Sequence, residues 1–272
     1  MTDIHLDFIT HAASPNVSSK NLDTFCHLVL RENPDGALIS GDISLATSLE
    51  EHLIDLESRL KMPIYFVLGN HDFWGGSFNS IRNLCSKITR ESEYLRYLTV
   101  MNYTQLAPSV ALVGHDGWYD GLNGDPRVTN FIMNDWTHIT DFVRATRLDG
   151  SIDLNKILSI SRQQARSAAN HLAMSIKSAI TQKNVKKIIV LTHVPPFLNP
   201  HGRNEPELNL WYSSKTLGDM LFSAAAAYPD VTFKVLCGHV HEACTLQITP
   251  NLIFQSGVAE YSKPMPQGII EV

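Results

Sequence analysis

Nine side chains that can bind metal ions or move protons stand at the start of this chain and at the ends of four short apolar runs: Asp3, His5, Asp42, Asn70, His71, Asp72, His193, His239 and His241. Carboxylate, imidazole and amide oxygen suit Mn, Fe or Zn, and the absence of cysteine argues against a thiolate zinc site. Even seven of these side chains would be too many ligands for one tetrahedral ion, whereas two ions that share one carboxylate fit that number. Paired ions about 3.5–4 Å apart can clamp the attacking and leaving oxygens of a phosphoryl displacement.

The four apolar runs that must position these residues occur at 36–42, 63–72, 186–196 and 233–241, and a fifth run of the same kind occurs at 109–118. Each has the length and the Val, Ile and Leu content of a strand buried on both faces. Helical patterns lie between several of them, at 47–62, about 154–182 and about 214–227. Strands that alternate with helices indicate an α/β fold, in which ligands collect beyond the carboxyl ends of the strands. His239 and His241 are two apart, so an extended strand places both on one side.

Other patterns predict further details of the fold. The helix at 47–62 begins with a predicted capping box from Thr47 to Glu50. The stretches "CTLQITPNLIFQSG" and "QGIIEV" predict antiparallel strands near the end of the chain. A polar, irregular segment at about 118–153 predicts a cap-like insertion over the site. No linker divides the chain, so we expect one domain over 1–272.

Composition narrows the partners and the compartment. Lys and Arg total 22 against 27 Asp and Glu, which disfavours nucleic acid as a bulk partner but allows a small phosphorylated substrate. The four cysteines form no CxxC pair and are predicted to be reduced thiols, which suits the cytoplasm. No apolar stretch approaches the ~20 residues of a membrane helix, and the order of a signal peptide is lacking at the start. We therefore predict a cytoplasmic protein without a membrane partner.

The ordered blocks Asp3-x-His5, Gly41-Asp42, Gly69-Asn70-His71-Asp72, His193 and Gly238-His239-x-His241 resemble the signature of the calcineurin-like metallophosphoesterase superfamily. They run from residue 3 to residue 241 in the family's order. A single block would be a weak signal, but five in order are specific. The resemblance implies a four-layer fold, in which two packed mixed β-sheets are flanked by helices.

The resemblance also implies a role for each matching position. Two divalent or trivalent ions (Mn, Fe or Zn) would be held, one by Asp3, His5 and His241 and the other by Asn70, His193 and His239, with Asp42 as the bridge. A hydroxide shared by the ions would attack phosphorus in line. His71 would assist the leaving group, and Asp72 would orient the His71 ring.

The substrate is less well specified than the chemistry. The run "GDISLATS" lacks the Arg that Ser/Thr phosphatases and dinucleotide-polyphosphate hydrolases carry after this block, and lipid A precursor pyrophosphohydrolases usually have Arg at the position of His71. The sequence looks most like the small bacterial-type phosphodiesterases, which include class III cyclic-nucleotide phosphodiesterases. A phosphodiester or a phosphomonoester therefore stays open as the substrate.

Four further residues are candidate substrate contacts. His115 ends a predicted strand as the ligands do, and Trp118 follows it closely. His201 and Arg203 lie in the polar loop 197–214, and a guanidinium matches a phosphate with two parallel donors. The alternatives are ordinary packing for Trp118 and a solvated charge for Arg203.

A second function from another class is a non-catalytic scaffold that keeps the phosphoesterase fold. Such proteins tend to lose ligands or the proton-donating histidine, whereas every block is present here. One feature concerns the support of Asp3 and His5, since only Met1 and Thr2 precede Asp3 where related chains have a longer strand. We therefore expect weak support for Asp3 and His5, or a natural start that lies upstream.

Overall fold

The computed structural model describes residues 1–10, 15–127, 131–147, 149–182, 184–199 and 206–272. Its helices are α1 (Leu6–Thr10), α2 (Pro15–Leu30), α3 (Leu49–Leu60), α4 (Phe78–Glu91), α5 (Asp135–His138), α6 (Thr140–Val143), α7 (Leu154–Ile180), α8 (Pro206–Asn209) and α9 (Lys215–Ala227). Its strands are β1 (Ala37–Ser40), β2 (Ile64–Val67), β3 (Leu95–Tyr97), β4 (Thr104–Ala107), β5 (Val110–Gly114), β6 (Lys187–Leu191), β7 (Thr232–Cys237), β8 (Cys244–Thr249) and β9 (Leu252–Ser256). Short 3-10 turns span His71–Phe73 and Leu98–Val100.

The strands of the described residues form two sheets. The first is parallel, in the order β1-β2-β3. The second is mixed, in the order β4-β5-β6-β7-β9-β8, with β4 and β8 antiparallel to their neighbours. Because β1, β2, β6 and β7 lie inside this parallel framework, their carboxyl ends open on one edge of the molecule.

Alternating side chains on each strand join the two sheets face to face. Tyr65 and Val67 of β2 belong to an apolar cluster with Ile189 and Leu191 of β6, which lies between the sheets. The intervening residue Phe66 packs on the opposite face, in the cluster that includes α2, α3 and α4. Residues of β5 and β6 that face away from the first sheet pack against α7 and α9. The result is the four-layer sandwich of helices, sheet, sheet and helices.

The α/β expectation is confirmed, and the predicted helices match α3, α7 and α9 closely. The capping box from Thr47 to Glu50 was wrong. The N-cap is Ser48, and its side chain makes no capping hydrogen bond because its hydroxyl pairs with Ser44 Oγ at 2.9 Å.

The predicted antiparallel pair near the end of the chain is β8 and β9, but the predicted strand at "QGIIEV" was wrong. Pro264 and Pro266 precede this stretch and supply no backbone N–H for a ladder. Gln267 takes part in a loop contact instead, since its side chain accepts a hydrogen bond from Val258 N at 2.9 Å and donates one to Val258 O at 2.8 Å.

The first residues of the chain lie against the loop that follows β1. Asp3 N donates to Gly41 O at 3.1 Å, and His5 N donates to Asp42 O at 3.0 Å. Asp3 is 2% exposed and His5 is fully buried. The expected weakness of this support is therefore not found, because backbone hydrogen bonds hold both residues in the interior.

The four cysteines are free thiols. Cys26, Cys85 and Cys237 are buried free thiols, and Cys244 is a partly exposed one. Among the helices of the described residues, none combines the length and the apolar character that crossing a bilayer requires.

Candidate metal centre

The seven predicted ligands meet at the edge of the sandwich where the strands end. They are supplied by the loops after β1, β2, β6 and β7 and by the first residues of the chain: Asp42, Asn70, His193, His239, His241, Asp3 and His5. All are buried except His241, which is partly exposed. Residues up to 238 positions apart in the chain are thus brought together by the topology of the two sheets.

The first cluster consists of Asp3, His5, Asp42 and His241, and each offers one ligand atom within 4.8 Å of the others. The Nε2 atoms of His5 and His241 face one another at 3.3 Å. His241 Nε2 lies 3.4 Å from Asp3 Oδ1, and His5 Nε2 lies 3.8 Å from Asp42 Oδ2. Two imidazole nitrogens and two carboxylates converge here, which is a donor set that suits Mn, Fe or Zn.

The second cluster consists of Asp42, Asn70, His193 and His239. Asn70 Oδ1 lies 3.1 Å from His193 Nε2 and 2.9 Å from His239 Nδ1. His193 Nε2 lies 3.4 Å from Asp42 Oδ1. Asp42 therefore directs one carboxylate oxygen toward each cluster, in the position of a bridge.

Hydrogen bonds to main-chain carbonyls orient two of these rings. His193 Nδ1 lies 2.8 Å from Ser40 O, and His239 Nε2 lies 3.1 Å from Trp211 O. If each of these nitrogens carries a proton and donates it, the opposite nitrogen turns a lone pair toward the second cluster. The ring nitrogens that face the cluster are therefore suited to metal binding.

The charges of the clusters also fit a cation. Burial lowers the pKa of His5 to about 4 and that of His239 to about 3, so both rings are neutral near pH 7. Burial acts against the charge of His193, but Asp42 outweighs it and raises the pKa of His193 to about 10. Burial opposes the charge of Asp42 as well, yet the charges of His193 and His71 keep the pKa of Asp42 well below its ordinary value. A bound cation would take the place of the His193 proton as the counter-charge to Asp42.

The backbone at five of the seven positions is left-handed. The φ angles are 48° at Asp3, 40° at His5, 49° at Asp42, 71° at His239 and 55° at His241. A non-glycine residue pays about 1–2 kcal/mol for this conformation. Such residues cluster at functional sites, where the surrounding structure holds them.

The glycine before a ligand makes room for a carboxylate from another loop. A Cβ on Gly69 would overlap Asp42 and approach its Cγ to 2.7 Å. A Cβ on Gly238 would overlap Asp3 and approach its Cγ to 2.9 Å. Each carboxylate therefore occupies the space that a side chain at the glycine would take.

Asp72 binds main chain, and this differs from the orienting role implied for it. Its Oδ1 accepts hydrogen bonds from Ile43 N at 2.9 Å and Ser44 N at 2.8 Å, and its Oδ2 accepts one from Gly69 N at 2.8 Å. Burial, with the nearby charge of Asp42, raises the pKa of Asp72 well above its ordinary value. The side chain thus ties the loop after β1 to the loop after β2.

The ring of His71 packs against Trp74, with ring centroids 3.7 Å apart and an interplanar angle of 23°. Among the described residues no hydrogen-bond partner reaches His71 Nδ1. The indole of Trp74 donates from Nε1 to Asp135 Oδ1 at 2.7 Å, and the same oxygen accepts a hydrogen bond from Asn70 Nδ2 at 2.9 Å. The His71 ring is therefore oriented by stacking.

A cavity of about 580 Å³ lies over the two clusters. Its floor includes Asp42, Asn70, His71, His239 and His241. Its walls include Met133, Asn134 and Asp135 from the segment predicted as an insertion, Asn199 and Tyr212 from the loop after β6, and Tyr261. The cavity can therefore bring a ligand group to both clusters and to His71.

Two predicted substrate contacts lie in the core. His115 is 4% exposed, its Nδ1 accepts a hydrogen bond from Gly117 N, and its ring packs 5.3 Å from that of His171. Trp118 is 1% exposed and packs edge-on against Phe78. Neither residue lines the cavity in the described part of the chain, so their placement does not support a contact with substrate.

The other two candidate contacts, His201 and Arg203, lie outside the described residues. The structure adds Trp74 and Asp135, which sequence reasoning missed. Trp74 follows His71 by three residues, a spacing that brings side chains together in a helical turn and gave a usable signal. Asp135 lies 65 residues from Asn70, and nothing in the local sequence distinguishes it from an ordinary helix-start acid.

Part of the chain is similar in sequence to a known phosphodiesterase. A glycerophosphodiester phosphodiesterase from Enterobacter lignolyticus (strain SCF1) is 31% identical over 108 residues, which cover 38% of this chain and 39% of that protein. The match thus spans less than half the length of that relative.

Two solved structures share the fold. The phosphopantetheinyl hydrolase of Mycobacterium tuberculosis superposes with a TM-score of 0.55 at 13% identity, over 84% of this chain and 79% of that one. A dimetal phosphatase from Danio rerio gives a TM-score of 0.53 at 16% identity, over 91% and 79%. A family model described as calcineurin-like phosphoesterase matches residues 1–243. This chain belongs to the calcineurin-like phosphoesterase family.

Proposed function

We propose that this chain is a dinuclear metal-dependent phosphoesterase. Asp42 carries the proposal, because its Oδ2 lies 3.8 Å from His5 Nε2 of the first cluster and its Oδ1 lies 3.4 Å from His193 Nε2 of the second. A structural metal site is usually closed around a single ion, whereas a shared carboxylate between open clusters fits a pair. Membership of the calcineurin-like phosphoesterase family supports the same chemistry.

Asp3, His5, Asp42 and His241 would hold one ion, and Asp42, Asn70, His193 and His239 the other. The nitrogen and oxygen donors suit Mn, Fe or Zn. Two ions bound there would supply Lewis acidity and a nucleophilic hydroxide near neutral pH.

The protein's own side chains would bind and orient the phosphoester. A phosphoryl group bound in the cavity over the clusters would lie beside Asp42 and Asn70, with His71 on the same floor. Trp74 stacks on His71 and holds the plane of its ring. We assign His71 the role of protonating, or donating a hydrogen bond to, the departing oxygen. Asp72 would support this indirectly, by holding the two ligand loops together.

A phosphodiester is the proposed substrate. The relative from Enterobacter lignolyticus is a glycerophosphodiester phosphodiesterase, and beyond the clusters the cavity is lined by two separate segments, which include Asn134 and Asn199. A diester carries two substituents on phosphorus, and a cavity of about 580 Å³ has room for both. We further propose that the chain is one domain in which the segment 118–153 caps the site, since Met133 and Asp135 line the cavity wall.

Hydrolysis with defined metals tests the function. Protein stripped with a chelator is titrated with Mn²⁺, and the cleavage of bis(p-nitrophenyl) phosphate and p-nitrophenyl phosphate is followed. We expect no activity without metal, full activity at two Mn²⁺ per chain, and a higher kcat/KM for the diester. A higher value for the monoester would reverse the substrate proposal. Two bound metals without cleavage of either ester would favour the scaffold.

We expect His71→Ala to lower kcat by about 10²–10⁴-fold for diesters with alkyl leaving groups, which is the range for loss of a general acid. The loss should be smaller for p-nitrophenyl esters, since that leaving group departs without a proton. Two Mn²⁺ should still bind, because His71 is outside the ligand set. His27→Ala, on the exposed side of α2, is the matched control and should change neither quantity. An equal loss for both leaving groups would remove His71 from this role.

A further inference from the structure

Asp135 connects two parts of the site that are separate in the chain. It begins α5 and is fully buried. Its Oδ1 accepts two hydrogen bonds, from Asn70 Nδ2 at 2.9 Å and from Trp74 Nε1 at 2.7 Å. Asn70 belongs to the second cluster, and Trp74 packs on His71. One carboxylate oxygen thus contacts a candidate metal ligand and the support of the candidate proton donor.

The bond to Asn70 selects one of two orientations of its amide. When the NH₂ group of Asn70 donates its hydrogen bond to Asp135, Asn70 Oδ1 faces His193 Nε2 and His239 Nδ1. The reverse orientation would turn NH₂ toward the second cluster, and an amide nitrogen of this kind has no lone pair to offer a metal. Asp135 therefore determines whether Asn70 presents a ligand atom.

The bond to Trp74 sets the plane on which His71 rests. The indole stacks with two rings, at centroid distances of 3.7 Å from His71 and 4.9 Å from His138, and it is close to parallel with both. Rotation of the indole would break its hydrogen bond to Asp135 and remove the flat surface under His71. This restraint matters because no described residue hydrogen-bonds to His71 Nδ1.

A merely structural role is the alternative, since a buried carboxylate needs donors and these two supply its Oδ1. A neutral residue at this position would avoid the cost of burying a charge, however. The two donors to Asp135 belong to Asn70 and Trp74, and the second cluster and His71 depend on how these two side chains are oriented.

We propose that Asp135 is a positioning residue that orients Asn70 toward the second metal and, through Trp74, orients His71 toward the leaving group. This inference depends on the proposed phosphoesterase function. It assigns the segment 131–145 a part in assembling the site, beyond covering it.

Metal binding tests the first half without reference to activity. Mn²⁺ affinities are measured by calorimetry on stripped protein, and His241→Ala and His239→Ala assign the two binding steps to the first and second clusters. We expect Asp135→Ala to weaken the second-cluster step by about 10–100-fold, as loss of an outer partner does, and to leave the first-cluster step within about threefold. Asp135→Asn keeps an acceptor oxygen and should recover most of the affinity.

Leaving-group dependence tests the second half. Trp74→Phe keeps an aromatic ring under His71 but removes the indole N–H. We expect it to bind both metals normally and to lose kcat more on alkyl than on p-nitrophenyl diesters. Asp135→Ala should show this dependence together with the metal defect.

Asp141→Ala is the matched control. Asp141 lies in α6 of the same segment, and its Oδ2 accepts a hydrogen bond from Phe78 N at 2.9 Å, away from both clusters. It should alter neither the metal affinities nor the leaving-group dependence. Two results would overturn the positioning role. One is that both variants, Asp135→Ala and Asp135→Asn, weaken the first-cluster and second-cluster steps equally. The other is that neither variant weakens the second-cluster step. Failure of the wild-type protein to bind two metals or to cleave any ester would instead reject the proposed function.

Discussion

Replacing Asp42 with Asn should remove both the metal pair and the activity. Asp42 directs one oxygen to each cluster, so the substitution takes the anionic bridge from both at once. Paired metals supply several kcal/mol of transition-state stabilisation, and each ~1.4 kcal/mol is a factor of ten in rate, so kcat/KM should fall at least about a thousandfold. The measurements are Mn²⁺ stoichiometry by calorimetry and the rate on bis(p-nitrophenyl) phosphate.

Asp55→Asn is the control for this change. Asp55 lies on α3 and pairs with Arg59 on the surface at 3.2 Å, so the same substitution there should leave metal stoichiometry and rate unaltered. Retention of two tightly bound Mn²⁺ by Asp42→Asn would show that Asp42 does not bridge them.

Gly69→Ala should damage the site through one methyl group. The added Cβ would overlap Asp42 and lie 2.7 Å from its Cγ, and the competing atoms belong to a buried loop that Asp72 also holds. Forced contacts of this kind cost about 1–3 kcal/mol, which corresponds to a fall of several degrees in the unfolding midpoint for a domain of this size. We also expect loss of Mn²⁺ binding in both clusters, because Asp42 must shift.

Gly150→Ala separates this overlap from the general effect of adding a methyl group to a glycine. Gly150 has a φ of 82°, and no atom lies within 4 Å of an added Cβ. That variant should lose only the stability that a positive φ costs a non-glycine residue, and it should still bind both metals. Thermal unfolding with and without Mn²⁺ measures both effects. Normal metal affinity in Gly69→Ala would mean that the loops have room to separate.

Periodicity predicted the α/β core, through strands that are buried on both faces. Apolar runs such as 63–67 and 187–191 must alternate between two cores, and the structure places Val67 between the sheets and Phe66 under the helices. The packing of two sheets came from the family resemblance. The strand predicted at the end failed because apolar residues in 267–272 suggested a ladder that the preceding prolines do not favour.

The candidate site was predictable to the extent that its residues stand in short motifs. The resemblance named all seven proposed ligands, and the structure brings them together. It did not reveal the bonds of Asp72 to main chain, since side-chain contacts with backbone depend on how two loops approach. The contact of Asp135 with the site could not be predicted from the sequence, because its partner Asn70 is 65 residues away and only the tertiary fold joins them.

The left-handed backbone at Asp3, His5, Asp42, His239 and His241 has an evolutionary consequence. At about 1–2 kcal/mol each, their combined strain is of the same order as the net stability of a whole domain, about 5–15 kcal/mol. Substitution by glycine at any of them would relieve part of that strain, so drift toward greater stability would remove ligands first. If selection no longer acted on the chemistry of this chain, stabilising substitutions could have replaced these five residues, and all five are present.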